Sequence, residues 1–458
     1  MAKQKTRFVC QECGRVSPKS MGKCPSCQEF GTFVEEIMEV ASTGANRRPS
    51  LNVRAPVRLA DVEKENFQRM KLPIGELSRV LGGGIVPSSL VLLGGDPGIG
   101  KSTLLLQVAA MVAQDHGRVL YISGEESTQQ IRMRADRMSV TADDLFLVTE
   151  TRLTAILAHI ENEKPTLVIV DSIQTTWTDE LKSAAGSVSQ VRECATRLQE
   201  VAKNSAVTIF LVGHVTKEGT IAGPRVLEHI VDTVLQLQGD MFHRYRLLRS
   251  IKNRFGATSE VGVFEMLATG LAEVPNPSEA FLAERQINAS GSAIAVTMEG
   301  TRPILVEIQA LASATTFSNP RRTGNGVDYN RLLLLTAVLT RRVRLGLADR
   351  DVFVNVIGGL SIDEPASDLA VAVAIASSVR DRPVHADMAF LGEIGLSGEL
   401  RTVSQPEIRL REASKLGFKR CVVPVAVGRQ KPDYPKGLKV IECRTLKDAL
   451  AAGLMRES

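Results

Sequence analysis

Between residues 89 and 237 short apolar runs rich in Val, Ile and Leu alternate with helix-length segments; the runs fall at 89–93, 119–123, 145–148, 167–170, 207–212 and 233–237. They are apolar on both faces instead of alternating, as strands are when helices cover a sheet on two sides. They predict a parallel sheet in an α/β nucleotide-binding core. A second block starts near Glu279, after VPNPS, whose two prolines interrupt regular structure. There the pattern predicts a helix at 329–339, a strand at 352–356, an apolar helix at 369–379 and strands at 389–393 and 421–423. Residues 38–57 are polar, basic and aperiodic, which marks a linker. The expected organisation is a short module at 1–37, the linker, the α/β core at 58–275 and a C-terminal α+β block at 279–458, with no tandem repeat.

The 458 residues, 44% hydrophobic and 23% charged, have room for two or three globular domains and exclude wholesale disorder and collagen-like classes. No run of 18 apolar residues occurs, and the opening MAKQKTRFVC lacks the apolar core of a secretory signal, so a cytoplasmic protein without a membrane partner is expected. The net charge of +5 sits in residues 1–58, where ten Lys and Arg face five Glu; the remaining 400 residues are neutral. A four-thiolate metal site would leave about +3 on that segment, a weak attraction for polyanions.

Four of the seven cysteines, Cys10, Cys13, Cys24 and Cys27, form C-x2-C-x10-C-x2-C. Two such knuckles turn four sulfurs toward one point, which predicts a tetrahedral Zn²⁺ site over the alternative of redox dithiols in a reducing compartment. Gly14 follows the first pair, where a tight turn needs a residue without Cβ. So short a segment cannot bury enough core to fold without its metal.

LVLLGGDPGIGKST at 90–103 reads as an apolar strand, a G-x4-G-K-S loop and the start of a helix. Nucleotide phosphates need converging backbone N–H groups, a helix N-terminus, a lysine for the β- and γ-oxygens and a hydroxyl for Mg²⁺. Gly95, Asp96, Pro97, Gly98, Ile99, Gly100, Lys101, Ser102 and Thr103 supply that loop, which makes ATP and Mg²⁺ the expected cofactors. In LVIVDS, Asp171 ends an apolar strand where a carboxylate reaches Mg²⁺ through water; a helix-capping role is the alternative. YISGEES places Glu125 and Glu126 after the next strand. Two adjacent glutamates on extended backbone cannot both point inward, and Glu125 is expected to orient the attacking water, with Glu126 the alternative.

The phosphate loop, SGEES, LVIVDS, LVGHVTKEG at 211–219 and above all IKNRFG at 251–256 resemble the RadA (Sms) family of bacterial DNA repair ATPases, in the RecA and DnaB-helicase superfamily. The resemblance covers the whole chain, the four-Cys module and C-terminal block included. It implies a RecA-like P-loop core and a DNA-dependent ATPase that forms a hexameric ring on single-stranded DNA. With RecA, such a ring drives branch migration of recombination intermediates such as D-loops. In that family the motif matching Lys252, Asn253, Arg254, Phe255 and Gly256 couples ATP to DNA work. A Lys and an Arg two positions apart on a strand share one face and suit trans-acting contacts to a neighbouring subunit's γ-phosphate; a basic surface strand is the alternative. The resemblance also implies DNA loops near 176–189 and 216–228, the second with Lys217, Gly219, Gly223, Pro224 and Arg225; His214 at the strand end either senses the γ-phosphate or is a satisfied core histidine. With only 19 aromatics, backbone contacts to DNA are expected over base stacking. The seven arginines at 321–350, among them Arg341, Arg342 and Arg344, offer a second phosphate surface or a solvated face.

The C-terminal block resembles the proteolytic domain of Lon, whose chemistry needs a Ser–Lys dyad. The matching positions hold Ala366, with Ser367 one step on, and Glu407, so no peptide cleavage is expected. The rival functions are an ATP-switched adaptor that binds DNA and RecA without translocating, and an ATP-dependent protease.

Overall fold

In the computed structural model the predicted apolar runs are strands: β1 (Leu90–Gly95), β2 (Val119–Ser123), β3 (Leu145–Thr149), β4 (Leu167–Asp171), β5 (Thr208–His214) and β6 (Thr233–Gln238). The structure describes residues 5–10, 15–26, 28–38, 58, 68–214, 225–239, 244–315, 319–426 and 433–455. All six strands run parallel, which requires crossovers, and these are α1 (Lys101–Asp115), α2 (Thr128–Arg137), α3 (Leu153–Glu163), α4 (Val188–Asn204) and α5 (Arg225–Ile230). Every residue of β1, β2 and β4 is buried, whereas β3 at the sheet edge is half exposed. One core face packs Leu90, Leu92, Leu120, Ile122, Val168 and Val170 against Ile156, Val191 and Leu198 of the helices.

Three further strands extend this sheet: β7 (Tyr245–Asn253), β8 (Val261–Leu267) and β9 (Gly270–Glu273), giving the order β9-β8-β7-β6-β1-β5-β4-β2-β3. The sequence pattern does not predict β7, β8 or β9, because β7 and β8 mix buried and exposed positions without a clean period. By its contacts the chain divides into two compact units. One is Met1–Gln238, Leu248–Thr258 and Met266–Ala272; the other is Gly239–Leu247, Ser259–Glu265 and Glu273–Ser458.

The second unit carries a seven-stranded mixed sheet in the order β12-β13-β11-β10-β14-β15-β16. Its strands are β10 (Ser292–Glu299), β11 (Arg302–Ala314), β12 (Arg322–Asn325), β13 (Arg350–Val356), β14 (Met388–Phe390), β15 (Arg420–Pro424) and β16 (Lys439–Cys443). The expected helices appear as α6 (Tyr329–Val338), continued by a π-helical turn at Leu339–Val343, and α7 (Asp368–Arg380). A helix apolar all round belongs in a core, and α7 is buried from Asp368 to Ser377. Alternation along β11 sends Ile304, Val306 and Ile308 into the main core, and Leu305 into a second cluster with Leu410 and Ala413 of α8 (Pro406–Lys415). Among the described residues no helix is long and apolar enough to cross a membrane.

Candidate ATP-hydrolysis site

Parallel pairing sets the strand exits on one edge of the sheet. Gly95 lies opposite His214 and Leu237 in the ladder, and Ser123 opposite Asp171, so the phosphate loop and both acidic segments meet at the carboxyl ends of β1, β2 and β4. A Cβ on Gly95, whose φ is 155°, would lie 2.6 Å from the Leu237 carbonyl oxygen, and Gly98 has φ 76°. Ile99 is buried and anchors the loop, leaving Asp96, Pro97 and Gly98 exposed. Gly100 caps α1 without a side-chain acceptor, so the first helical N–H groups are left for an anion.

Lys101 begins that helix and is buried, its Nζ donating to the carbonyls of Gly95 at 2.8 Å and Asp96 at 2.9 Å. Burial lowers its pKa from the ordinary lysine value, while Asp171, Glu125 and Asp96 pull it back up. Ser102 and Thr103 follow, both half-buried. Asp171 is buried at the exit of β4 and accepts a 2.6 Å hydrogen bond on Oδ2 from the Tyr121 hydroxyl of β2. Burial first, then the Asp171 charge, push the Tyr121 pKa well above its usual value and keep it a donor. A serine hydroxyl at the start of α1 and a buried carboxylate at the exit of β4 suit Mg²⁺, and glycine turns ahead of an uncapped helix suit the phosphates of ATP. Bound there, Mg²⁺ neutralises charge developing on the β- and γ-oxygens.

The adjacent glutamates diverge. Glu126 forms an ion pair with Arg134 of α2, and its backbone N–H is held by Ser123 Oγ at 2.9 Å. Glu125 turns toward β4, where Ser172 Oγ donates to its Oε1 at 2.5 Å, and its charge acts on Lys101. Sequence reasoning missed Tyr121, Ser172 and Arg134; a tyrosine inside an otherwise aliphatic strand is the one signal that marks any of them.

Lys252 and Arg254 depart from the expected shared strand face, because β7 ends at Asn253 and Arg254 lies beyond it. Lys252 Nζ donates to the carbonyls of Glu228 at 2.5 Å and Val231 at 2.8 Å, at the C-terminal end of α5. Arg254 pairs with Asp232 Oδ1 at 3.1 Å, and the other Asp232 oxygen accepts from the Leu90 N–H at 3.1 Å. Leu90 enters β1 and Gly95 leaves it, so five strand rises, about 17 Å, separate these cations from their own phosphate loop.

The first expected DNA loop is tied down by the buried Gln190, whose amide accepts from Thr178 N–H and donates to the carbonyls of Thr178, Leu181 and Ser183. Its exposed turn carries Asp179 and Glu180 against Lys182, and Glu180 pairs with Arg197. An acidic turn is poorly suited to phosphate. In the second loop Lys217, Gly219, Gly223 and Pro224 lie outside the described residues, as do the side chains of His214 and Arg225. Of the arginines at 321–350, Arg331 pairs with Asp368 and Arg322 donates to the carbonyls of Arg321, Leu347 and Arg350, while Arg341, Arg342 and Arg344 are exposed.

At the Lon-like positions Ala366 is buried, Ser367 Oγ donates to the Glu364 carbonyl at 2.8 Å, and Glu407 accepts from the Asp433 N–H at 3.0 Å. The serine hydroxyl is engaged in that bond to the backbone three residues earlier and caps no helix N–H.

In the N-terminal module Cys10 and Cys24 are both buried, and each donates its backbone N–H to the carbonyl five residues on, Cys10 to Arg15 O and Cys24 to Glu29 O. Gln28, with φ 65°, stands four residues after Cys24, as Gly14 stands four after Cys10. Two buried cysteines in matching backbone settings fit a zinc-thiolate centre, in which Cys10 and Cys24 would be two ligands; residues 11–14 and 27, Cys13 and Cys27 among them, lie outside the described residues. Chelating the zinc is expected to abolish hydrogen-exchange protection across residues 15–26, and retained protection would show that the fold does not depend on metal.

Comparison with known proteins agrees with this geometry. Residues 55–220 match the family described as AAA domain, residues 8–35 the rubredoxin metal binding domain, and residues 337–427 subunit ChlI of Mg-chelatase. A KaiC-like protein of Pyrococcus horikoshii OT3 aligns over 46% of this chain and all of its own, at 21% identity and a TM-score of 0.39. The DNA repair protein RadA of Bacillus subtilis (strain 168) is 52% identical over 99% of this chain and 100% of its own. RadA of Halalkalibacterium halodurans is 52% identical over the full length of both chains, and that of Streptococcus pyogenes serotype M6 51% identical over 99% of each. Identity of this degree from end to end, on a chain whose sequence carries the phosphate loop and the four-cysteine pattern, makes it a member of the RadA family of DNA repair proteins, P-loop enzymes that hydrolyse ATP.

Proposed function

We propose that this chain is a DNA-dependent ATPase that assembles as a homo-hexameric ring on single-stranded DNA and, with RecA, drives branch migration of recombination intermediates. One observation carries the reading: Lys252 and Arg254 sit at the edge of the sheet opposite their own phosphate loop. Cations that far from their own nucleotide serve a neighbour's, and a head-to-tail ring presents that edge to the next protomer's cradle. Lys101, Ser102 and Asp171 hold ATP and Mg²⁺, and Glu125 orients the attacking water. Lys252 also grips the C-terminal end of α5, a helix that begins at Arg225 and so takes up the last residues of the expected 216–228 loop, and drawing its ammonium to a phosphate releases that helix. The acidic turn at 179–180 leaves phosphate contact to the later loop. The C-terminal unit, with neither dyad position filled, is a scaffold that cleaves no peptide.

The test measures ATP turnover and fork unwinding on one preparation, with and without single-stranded DNA and RecA. Stimulated turnover with unwound forks is expected; turnover indifferent to DNA and intact forks would make the chain an ATP-switched adaptor.

Subunit mixing tests the trans arrangement directly. Lys252→Ala and Lys101→Ala rings are each expected to be nearly inactive, yet an equal mixture regains about a quarter of wild-type turnover, because one interface in four joins an intact cradle to an intact cation. Cations acting within their own protomer give no recovery.

A further inference from the structure

The two functional carboxylates are held by hydroxyls that cross between neighbouring strands. Tyr121 of β2 donates to Asp171 of β4, and Ser172, one residue beyond Asp171, donates back to Glu125, two residues beyond the end of β2. The ladder makes this exchange possible by setting Ser123 opposite Asp171. Gly124 makes it close: its N–H donates to the Asp171 carbonyl at 2.8 Å, and a Cβ there would lie 2.0 Å from Thr175 Oγ1. A side chain at 124 would have to displace Thr175, whose hydroxyl holds the Ser172 carbonyl.

Ser172 is itself immobilised. It is 1% exposed, and its carbonyl accepts from Thr175 Oγ1 at 2.8 Å and Thr176 Oγ1 at 3.3 Å. A hydroxyl 2.5 Å from a carboxylate oxygen makes a charge-assisted bond. Glutamate has three side-chain torsions, and a water lined up for attack tolerates little displacement of the group that orients it. Glu126, next in the chain, is fixed differently, through Arg134.

We infer that Ser172 is the positioning residue for Glu125, acting by its hydroxyl to hold the carboxylate where attacking water must be oriented, a role that rests on the proposed function of Glu125. In this role Ser172 acts through Glu125, selecting the rotamer of the carboxylate that orients the water. Nucleotide affinity belongs to the phosphate loop and is untouched by it.

The experiment compares Ser172→Ala, Ser172→Thr and Glu125→Gln in the full chain, with melting temperature as the control for folding. For Ser172→Ala, kcat is expected to fall about tenfold while KM and the affinity for a fluorescent ATP analogue stay within about twofold. Affinity for ADP with aluminium fluoride, which reports the attack geometry without turnover, is expected to fall with kcat. Ser172→Thr, which keeps the hydroxyl, restores at least half of both. An inactive Glu125→Gln beside a Ser172→Ala of unchanged kcat and unchanged fluoride-complex affinity refutes the positioning role alone. A Glu125→Gln that turns over normally removes the role of Glu125 and this inference with it. Equal weakening of ATP analogue and fluoride complex by Ser172→Ala would mark Ser172 as part of nucleotide binding and also overturn it.

Discussion

Lys101→Ala is expected to reduce ATP turnover on the order of 10³-fold without lowering the melting temperature. The ammonium is the one buried cation of the phosphate loop, held at the helix N-terminus by the Gly95 and Asp96 carbonyls. It lies within the field of three carboxylates, Asp171, Glu125 and Asp96, that oppose the lowering of its pKa by burial. Its removal takes away the cation on which Asp171 and Glu125 act, so their charge would meet an approaching triphosphate where the transition state gathers more. Folding does not lean on Lys101 in the same way, because a desolvated ammonium costs free energy and one of its two acceptors, Asp96, lies on the exposed part of the loop. Turnover within tenfold of wild type, with circular dichroism confirming a folded chain, would contradict the assignment of the cradle.

The cradle is legible in the sequence because its chemistry is local. A strand, a glycine turn and a helix start fall within fourteen consecutive residues, and each leaves its own mark on composition. The parallel strands inside the sheet are legible for a related reason: burial on both faces removes the polar half of the pattern, and only the edge strand β3 is half exposed among the six. Asp171 follows from them, as the carboxylate where an apolar run stops. What holds these groups is not legible. Tyr121 and Ser172 meet their carboxylates across the ladder, fifty and forty-seven residues away in the chain, and such pairings depend on register that no local pattern encodes. The same holds for Arg254, which reads as a strand residue beside Lys252 yet lies past the strand end and is drawn to Asp232. The hairpin of β10 and β11 escapes because alternate residues of β11 enter two different cores, so its apolar stretch shows no period of two.

Arg409 shows how far a local reading can mislead, and it carries the largest expected effect on stability. In SQPEIR it reads as a surface cation of a polar helix, yet it is 0% exposed. Its guanidinium pairs with Glu364 and donates to the carbonyls of Val296 at 3.0 Å and Ser404 at 2.9 Å, joining α8, β10 and the segment that leads into α7. Burial pushes the Glu364 carboxyl up, but hydrogen bonds from Arg409, the Met298 N–H and Thr297 outweigh it and hold the pKa below the usual 4.5. Arg409→Met preserves much of the volume and removes every one of the guanidinium bonds. It leaves a largely buried carboxylate uncompensated, at a cost of about 3 kcal/mol or more. Hydrogen exchange in the full chain is expected to show lost protection in Ser292–Glu299 and Pro406–Lys415. Adding Glu364→Gln should recover much of the loss, since the amide oxygen still accepts from Met298 N–H and carries no charge. The lowered pKa fixes the sign of the acid response: the contribution of the pair is complete above pH 4.5 and drains away as pH falls through the folded-state value beneath it. The wild type should therefore lose protection in these segments on acidification more steeply than the double variant, and parallel acid profiles would show that the pair does not stabilise the fold.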